Sequence, residues 1–169
     1  MSNPRRKGSK AERNVAHLLT DWVGTEFVRV PRSGGLRWSS GLMVTGDVIP
    51  ADPRVLADFK FSVEVKFHAE VDFSHLLLGN KNVDILKFWD QVERDAKTVK
   101  KHPLLLFRYN FLPKDFYFAV VSLTVYSKIQ SKIDLKKGCM KYLSNDYNFV
   151  ILTSEDLFSV DYPIIANRL

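Results

Sequence analysis

The chain has 169 residues and 19.5 kDa, the size of one domain with a core of its own. Apolar residues at 46% and charged residues at 26% exclude a disordered or fibrous chain, and no run approaches the roughly 20 apolar residues of a membrane span. The net charge of +6 is uneven: residues 1–40 hold eight Lys or Arg against three acids, while the other 129 residues are near neutral, which points to a polyanionic partner.

Residues 1–8 read as a flexible basic arm broken at Gly8, and residues 9–169 as a single domain. The arm leads into an amphipathic segment rather than an apolar signal core, so a cytoplasmic protein is expected. Ser9 opens a helix in which Ala11, Val15, Leu18 and Trp22 recur at helical spacing until Gly24. Residues 26–31 form a predicted strand ended by Pro31, and a Gly- and Ser-rich loop runs on to Met43. Residues 44–49 are a short predicted strand and residues 50–58 a turn. Residues 59–68 then alternate, with Phe59, Phe61, Val63, Val65 and Phe67 on one face and Lys60, Ser62, Glu64, Lys66 and His68 on the other. That pattern predicts a strand with one buried and one chemically loaded face.

A short helix is expected within residues 72–78. A second long helix spans 84–101, where Ile85, Phe88, Trp89, Val92, Ala96 and Val99 trace one stripe and Pro103 is the stop. Residues 104–109 and 115–121 read as a strand pair, and residues 124–141 as a short helix followed by a basic loop. The single cysteine, Cys139, excludes an internal disulfide framework and a cysteine-based zinc site. Residues 148–152 are the last predicted strand, and Thr153 or Ser154 caps a terminal helix. The order of elements predicts an α/β fold with a mixed central β-sheet flanked by helices.

The residues able to do chemistry are Glu12, Asp47, Glu64 and Lys66. Glu64 and Lys66 are two apart on a strand and so share a face. If the strands carrying Asp47 and Glu64 pair through the turn at 50–58, the two carboxylates and a main-chain carbonyl offer hard oxygen ligands suited to Mg²⁺ or Mn²⁺. A divalent ion there polarises a phosphoryl oxygen and activates water, while Lys66 neutralises the attacked phosphate or orients that water. Glu12 faces the edge of its helix's buried stripe and could reach the metal's water shell.

Asp47, then Glu64-Val65-Lys66, preceded by a helix carrying Glu12, resembles the PD-(D/E)XK nuclease superfamily, and more narrowly its archaeal and phage-type Holliday junction resolvases. The opening Gly8-to-Arg13 segment, the Ser33-Gly34 loop and Gln91 are similar to that branch as well. Gly46 stands where the motif's proline would be. The resemblance implies a restriction-endonuclease-like core in which Asp47, Glu64, the Val65 carbonyl and Glu12 form the metal site, Lys66 acts on the water, and Ser33 approaches the scissile phosphate. It also implies a homodimer that cuts four-way junctions or other branched DNA.

On that reading Arg5, Arg6, Lys7, Lys10, Arg13, Arg29, Arg32 and Arg37, together with His68, Gln91, Lys97, Lys100 and Lys101, are the expected DNA contacts. Each has a simpler alternative. Ser9 and Glu12 have capping-box spacing, Glu64 and Lys66 could be a salt-bridged strand face, Gln91 lies among solvated positions, and Lys97 to Lys101 suit a helix C-terminus on the dipole alone. Other nucleases of the superfamily acting on ordinary duplex or on ends, and a non-catalytic DNA-binding module, share the same fold.

Overall fold

The computed structural model describes residues 4–30, 43–68, 73–80 and 83–169, with side chains from residue 7 onward. Among the described residues, seven strands form one mixed sheet in the order β1-β2-β3-β4-β5-β7-β6. They are β1 (Phe27–Arg29), β2 (Val48–Pro50), β3 (Phe61–His68), β4 (His102–Tyr109), β5 (Phe118–Ser122), β6 (Cys139–Leu143) and β7 (Asn148–Thr153). Of these, β3 and β4 run parallel, joined by the crossover that carries α4 (Asp84–Thr98), and the other five pairs are antiparallel. The expected restriction-endonuclease-like α/β core is therefore present.

Two hydrophobic layers sandwich the sheet. On one face α1 (Pro4–Val23) presents Ala11, Val15 and Leu19 to Val63, Val65, Leu104 and Leu106. On the other, Ile85, Trp89 and Val92 of α4 pack with Leu105, Phe107, Val120 and Phe149. A parallel pair covered on both sides buries both of its faces. The polar side of β3 is thus no open surface: Ser62 and Glu64 are 2% and 3% exposed.

Several boundaries differ from the sequence reading, each for a local reason. The first helix begins at Pro4, so Ser9 lies inside it and cannot act as the cap of a Ser9–Glu12 capping box; residues 4–8, expected in the basic arm, are helical. Gly24, at φ +77, does end that helix. Within the expected turn at 50–58, Asp52 caps α2 (Pro53–Asp58) by accepting from the Arg54 amide, with Pro53 in its first turn. The helix α4 stops at Thr98 rather than at Lys101, because Lys100 takes φ 55 and the Lys101 amide donates back to the Ala96 carbonyl.

The segment after residue 110 extends the sheet and clamps the first half of the chain. It adds β5, β7 and the edge strand β6, which begins in the expected basic loop and runs past it, and the helices α5 (Leu123–Ile129), α6 (Ser154–Phe158) and α7 (Tyr162–Ala166), with α3 (Ser74–Leu77) earlier in the chain. The Thr153 hydroxyl accepts from the Asp156 amide, forming the expected cap. Trp22 donates through Nε1 to the Val160 carbonyl and packs on Phe158 and Tyr162, while the Lys60 amide donates to the Tyr162 hydroxyl. Among the described residues no helix is long and apolar enough to cross a membrane.

Candidate active site

The site is built where β2 parts from β3. Val48 pairs with Val63, and the chain just before it turns through Gly46 at φ +91. A Cβ on that glycine would stand 2.5 Å from the Val63 carbonyl oxygen, so neither a side chain nor a proline, whose φ is held near −65°, fits there. Glycine in the motif's proline position therefore has a steric cause. The close approach fixes Asp47: its amide donates to Val63 O at 2.8 Å, its carbonyl accepts from the Val30 amide at 2.9 Å, and its carboxylate Oδ2 accepts from the Val65 amide at 2.9 Å.

Glu64 projects from the opposite side of the strand path, toward α4. Its Oε1 accepts from Lys66 Nζ at 2.5 Å and from Gln91 Nε2 at 2.7 Å. Burial, and then the negative charge of Asp47, push the Glu64 carboxyl up to about 7, with Lys66 acting in the other direction. Asp95, one helical turn beyond Gln91, adds to the upward push. Sequence reading missed Asp95, although its i,i+4 spacing from Gln91 on the same helix was a usable signal. Lys66 Nζ also sits 5.6 Å from the centre of the Phe88 ring of α4.

The donor chemistry fits a hard divalent cation. A buried carboxyl whose ionisation is opposed by burial and by a neighbouring carboxylate is relieved by positive charge between the two. Within an extended strand a residue's N–H and C=O face the same edge, so the Val65 carbonyl shares the edge on which Asp47 accepts the Val65 amide. Asp47, Glu64 and the Val65 carbonyl would hold the ion. Such an ion supplies Lewis-acid polarisation of a phosphoryl oxygen and lowers the pKa of a water. Lys66 would hold that water or the attacked phosphate, and Gln91 would keep the Glu64 carboxylate in one orientation.

Other predicted residues lie elsewhere. Glu12 is buried and forms an ion pair with Arg29 of β1, so α1 is pinned to the sheet by the residues expected in the metal shell and on DNA. Among the described residues no three His, Cys, Asp or Glu side chains converge as a metal-binding group. His68 faces Asp84 at 3.4 Å and packs on Phe88. Lys101 Nζ donates to the Leu56 carbonyl of α2 at 2.5 Å, and burial lowers its pKa to about 8. It and Lys100 lead into His102, which pairs with Phe61 at the far end of β3 from Lys66. Lys10, Arg13, Lys97 and Lys100 are exposed and Lys7 half-buried. Arg32, Ser33 and Arg37, and the side chains of Arg5 and Arg6, lie outside the described residues.

Residues 3–165 match the family described as "Phage putative PDDEXK endonuclease". The chain belongs to this family. The match extends well past the motif residues and takes in the clamping carboxyl-terminal segment. The chain is also similar to Protein D14 of Escherichia phage T5, at 30% identity over 105 residues, 62% of this chain and 63% of that protein's length. No solved structure gave a significant match. Membership bears out the PD-(D/E)XK resemblance and supports a nuclease.

Proposed function

We propose that the chain is a Mg²⁺-dependent endonuclease, with Mn²⁺ able to substitute, that hydrolyses phosphodiester bonds in branched DNA, four-way junctions first among them. The observation that carries the nuclease reading is the buried Glu64, bridged to Lys66 and Gln91 and loaded by the charge of Asp47. In that site Lys66 stabilises charge at the attacked phosphate while Asp47 and Glu64 hold the cation. Branched DNA is supported by the resemblance of the Gly8-to-Arg13 segment, the Ser33-Gly34 loop and Gln91 to the junction resolvases, and by the positive charge concentrated in residues 1–40. Cutting two like strands symmetrically calls for two like sites, so the active form is a homodimer.

The deciding experiment offers a four-way junction, a linear duplex and a single strand to the purified protein with Mg²⁺, with Mn²⁺ and with EDTA. Paired, symmetrical, metal-dependent nicks in the junction are expected. Asp47→Asn and Glu64→Ala are expected to abolish cleavage while junction binding survives. Equal cutting of linear duplex would reassign the substrate, and cutting by either variant would remove the proposed metal site.

A further inference from the structure

The hairpin joining β4 to β5 presents an aromatic side chain to solvent. Phe111, at its tip, is 104% exposed and has φ 70, a backbone angle uncommon for any residue but glycine. The hairpin is nonetheless tethered. The Arg108 guanidinium donates to the carbonyls of Leu112 and Lys114, Lys7 Nζ donates to Asn110 Oδ1 at 3.2 Å, and Asn14 Nδ2 donates to the Lys114 carbonyl at 3.4 Å. Arg108 is itself held between the rings of Phe67 and Tyr117. These bonds hold the hairpin in a conformation that leaves Phe111 in solvent.

Beside the tip lies a pocket of about 370 Å³, lined by Lys7, Lys10, Phe67, Arg108, Phe111 and Lys114 among others. Four of those six residues are cations, and Asp115 is the one acid of residues 110–115. The pocket lies at the end of β3 that carries Lys66: Phe67 is the next residue along the strand, on the opposite, α1-covered face, and Lys10 lies on α1. An exposed ring on a tethered hairpin, beside a cluster of cations, has the chemistry that binds an unstacked nucleobase and its flanking phosphates.

We propose that this hairpin is a second DNA contact, in which Phe111 stacks on an unpaired base at a branch point while Lys7, Lys10 and Lys114 hold the adjoining phosphates and Arg108 holds the hairpin in place. The contact would deliver the branch, rather than plain duplex, to the β3 site. It rests on the branched-DNA reading given above and extends it to Phe111 and Lys114, which that reading does not use.

The test is anisotropy binding in EDTA, where no cleavage is expected, using two fluorescein-labelled probes: a blunt DNA duplex, and the same duplex with a single-stranded branch and 2-aminopurine at the junction. Phe111→Ala should weaken binding of the branched probe by roughly 5- to 150-fold, the range for removal of one base stack, and leave the duplex unchanged. Phe111→Trp should retain affinity and the 2-aminopurine quench. Equal binding of both probes by wild type and Phe111→Ala, an equal loss on both, or no binding to either, would overturn the proposal. The two readings fail separately. A chain that cuts no DNA but shows Phe111-dependent branch binding sinks the nuclease reading alone, and one that cuts junctions with Phe111→Ala binding intact sinks this one alone.

Discussion

Gly46 shows how one missing side chain sets the chemistry of another residue. Its positive φ and the 2.5 Å gap from a notional Cβ to Val63 O are separate constraints, and both must hold for Asp47 to reach the Val65 amide. Gly46→Ala is expected to cost about 2–4 kcal/mol in urea unfolding, combining the left-handed backbone penalty with overpacking against an unyielding strand. Gly24 is the internal control: it has φ +77 but open space around it, so Gly24→Ala should cost only the backbone part, about 1–2 kcal/mol. Equal losses at the two positions would mean that the approach to Val63 contributes nothing. A folded fraction of Gly46→Ala should also be inactive in cleavage, because Asp47 is displaced from the β3 edge.

At the level of elements, α1 is joined to β1 through Glu12 and Arg29, with side chains 8% and 29% exposed. Removing one partner leaves a largely desolvated charge, so Glu12→Ala and Arg29→Ala should each destabilise by about 1–3 kcal/mol, while the double variant loses clearly less than the sum. Additive losses in that cycle would return Glu12 to the catalytic reading. This pair also marks the limit of what the sequence made legible. Helical periodicity placed α1 and α4, and strict alternation placed β3, because those signals are local and repeated over many residues. Asp47 and the Glu64–Lys66 pair were legible because strand spacing fixes which residues share a face. The Glu12–Arg29 pairing, 17 residues apart, was not, since it depends on how a helix docks across the sheet. The cover of α4 over Glu64 was hidden for the same reason: alternation reads the same whether the polar face meets water or a Gln on another element. The strand β6 was missed because its Cys-Met-Lys-Tyr-Leu sequence sits at the sheet edge, half-buried, with no clean period.

Across the whole molecule, charge and chemistry lie toward the same edge of the sheet. The order of strands puts β1, β2 and β3, with α1 across them, toward one edge and β6 at the other. Cations near β6 are compensated or exposed without a common focus: Lys136 pairs with Asp134, and Lys137 with Glu155. Lys7 and Lys10 of α1 share the basic pocket with Arg108 and Lys114. For duplex DNA, each phosphate that a cation no longer neutralises lowers the slope of log K against log salt by about 0.9. Replacing Lys7, Lys10 and Arg13 together by Gln is therefore expected to reduce that slope by about 2–3, whereas the same exchange at Lys132, Lys136 and Lys141 should leave it unchanged within error. Both variants remove three positive charges, so net charge alone predicts the same result for each. Equal slopes would show that the chain attracts DNA only as a diffuse cation; unequal slopes in the expected order would place the phosphate track on α1, alongside Asp47 and Glu64.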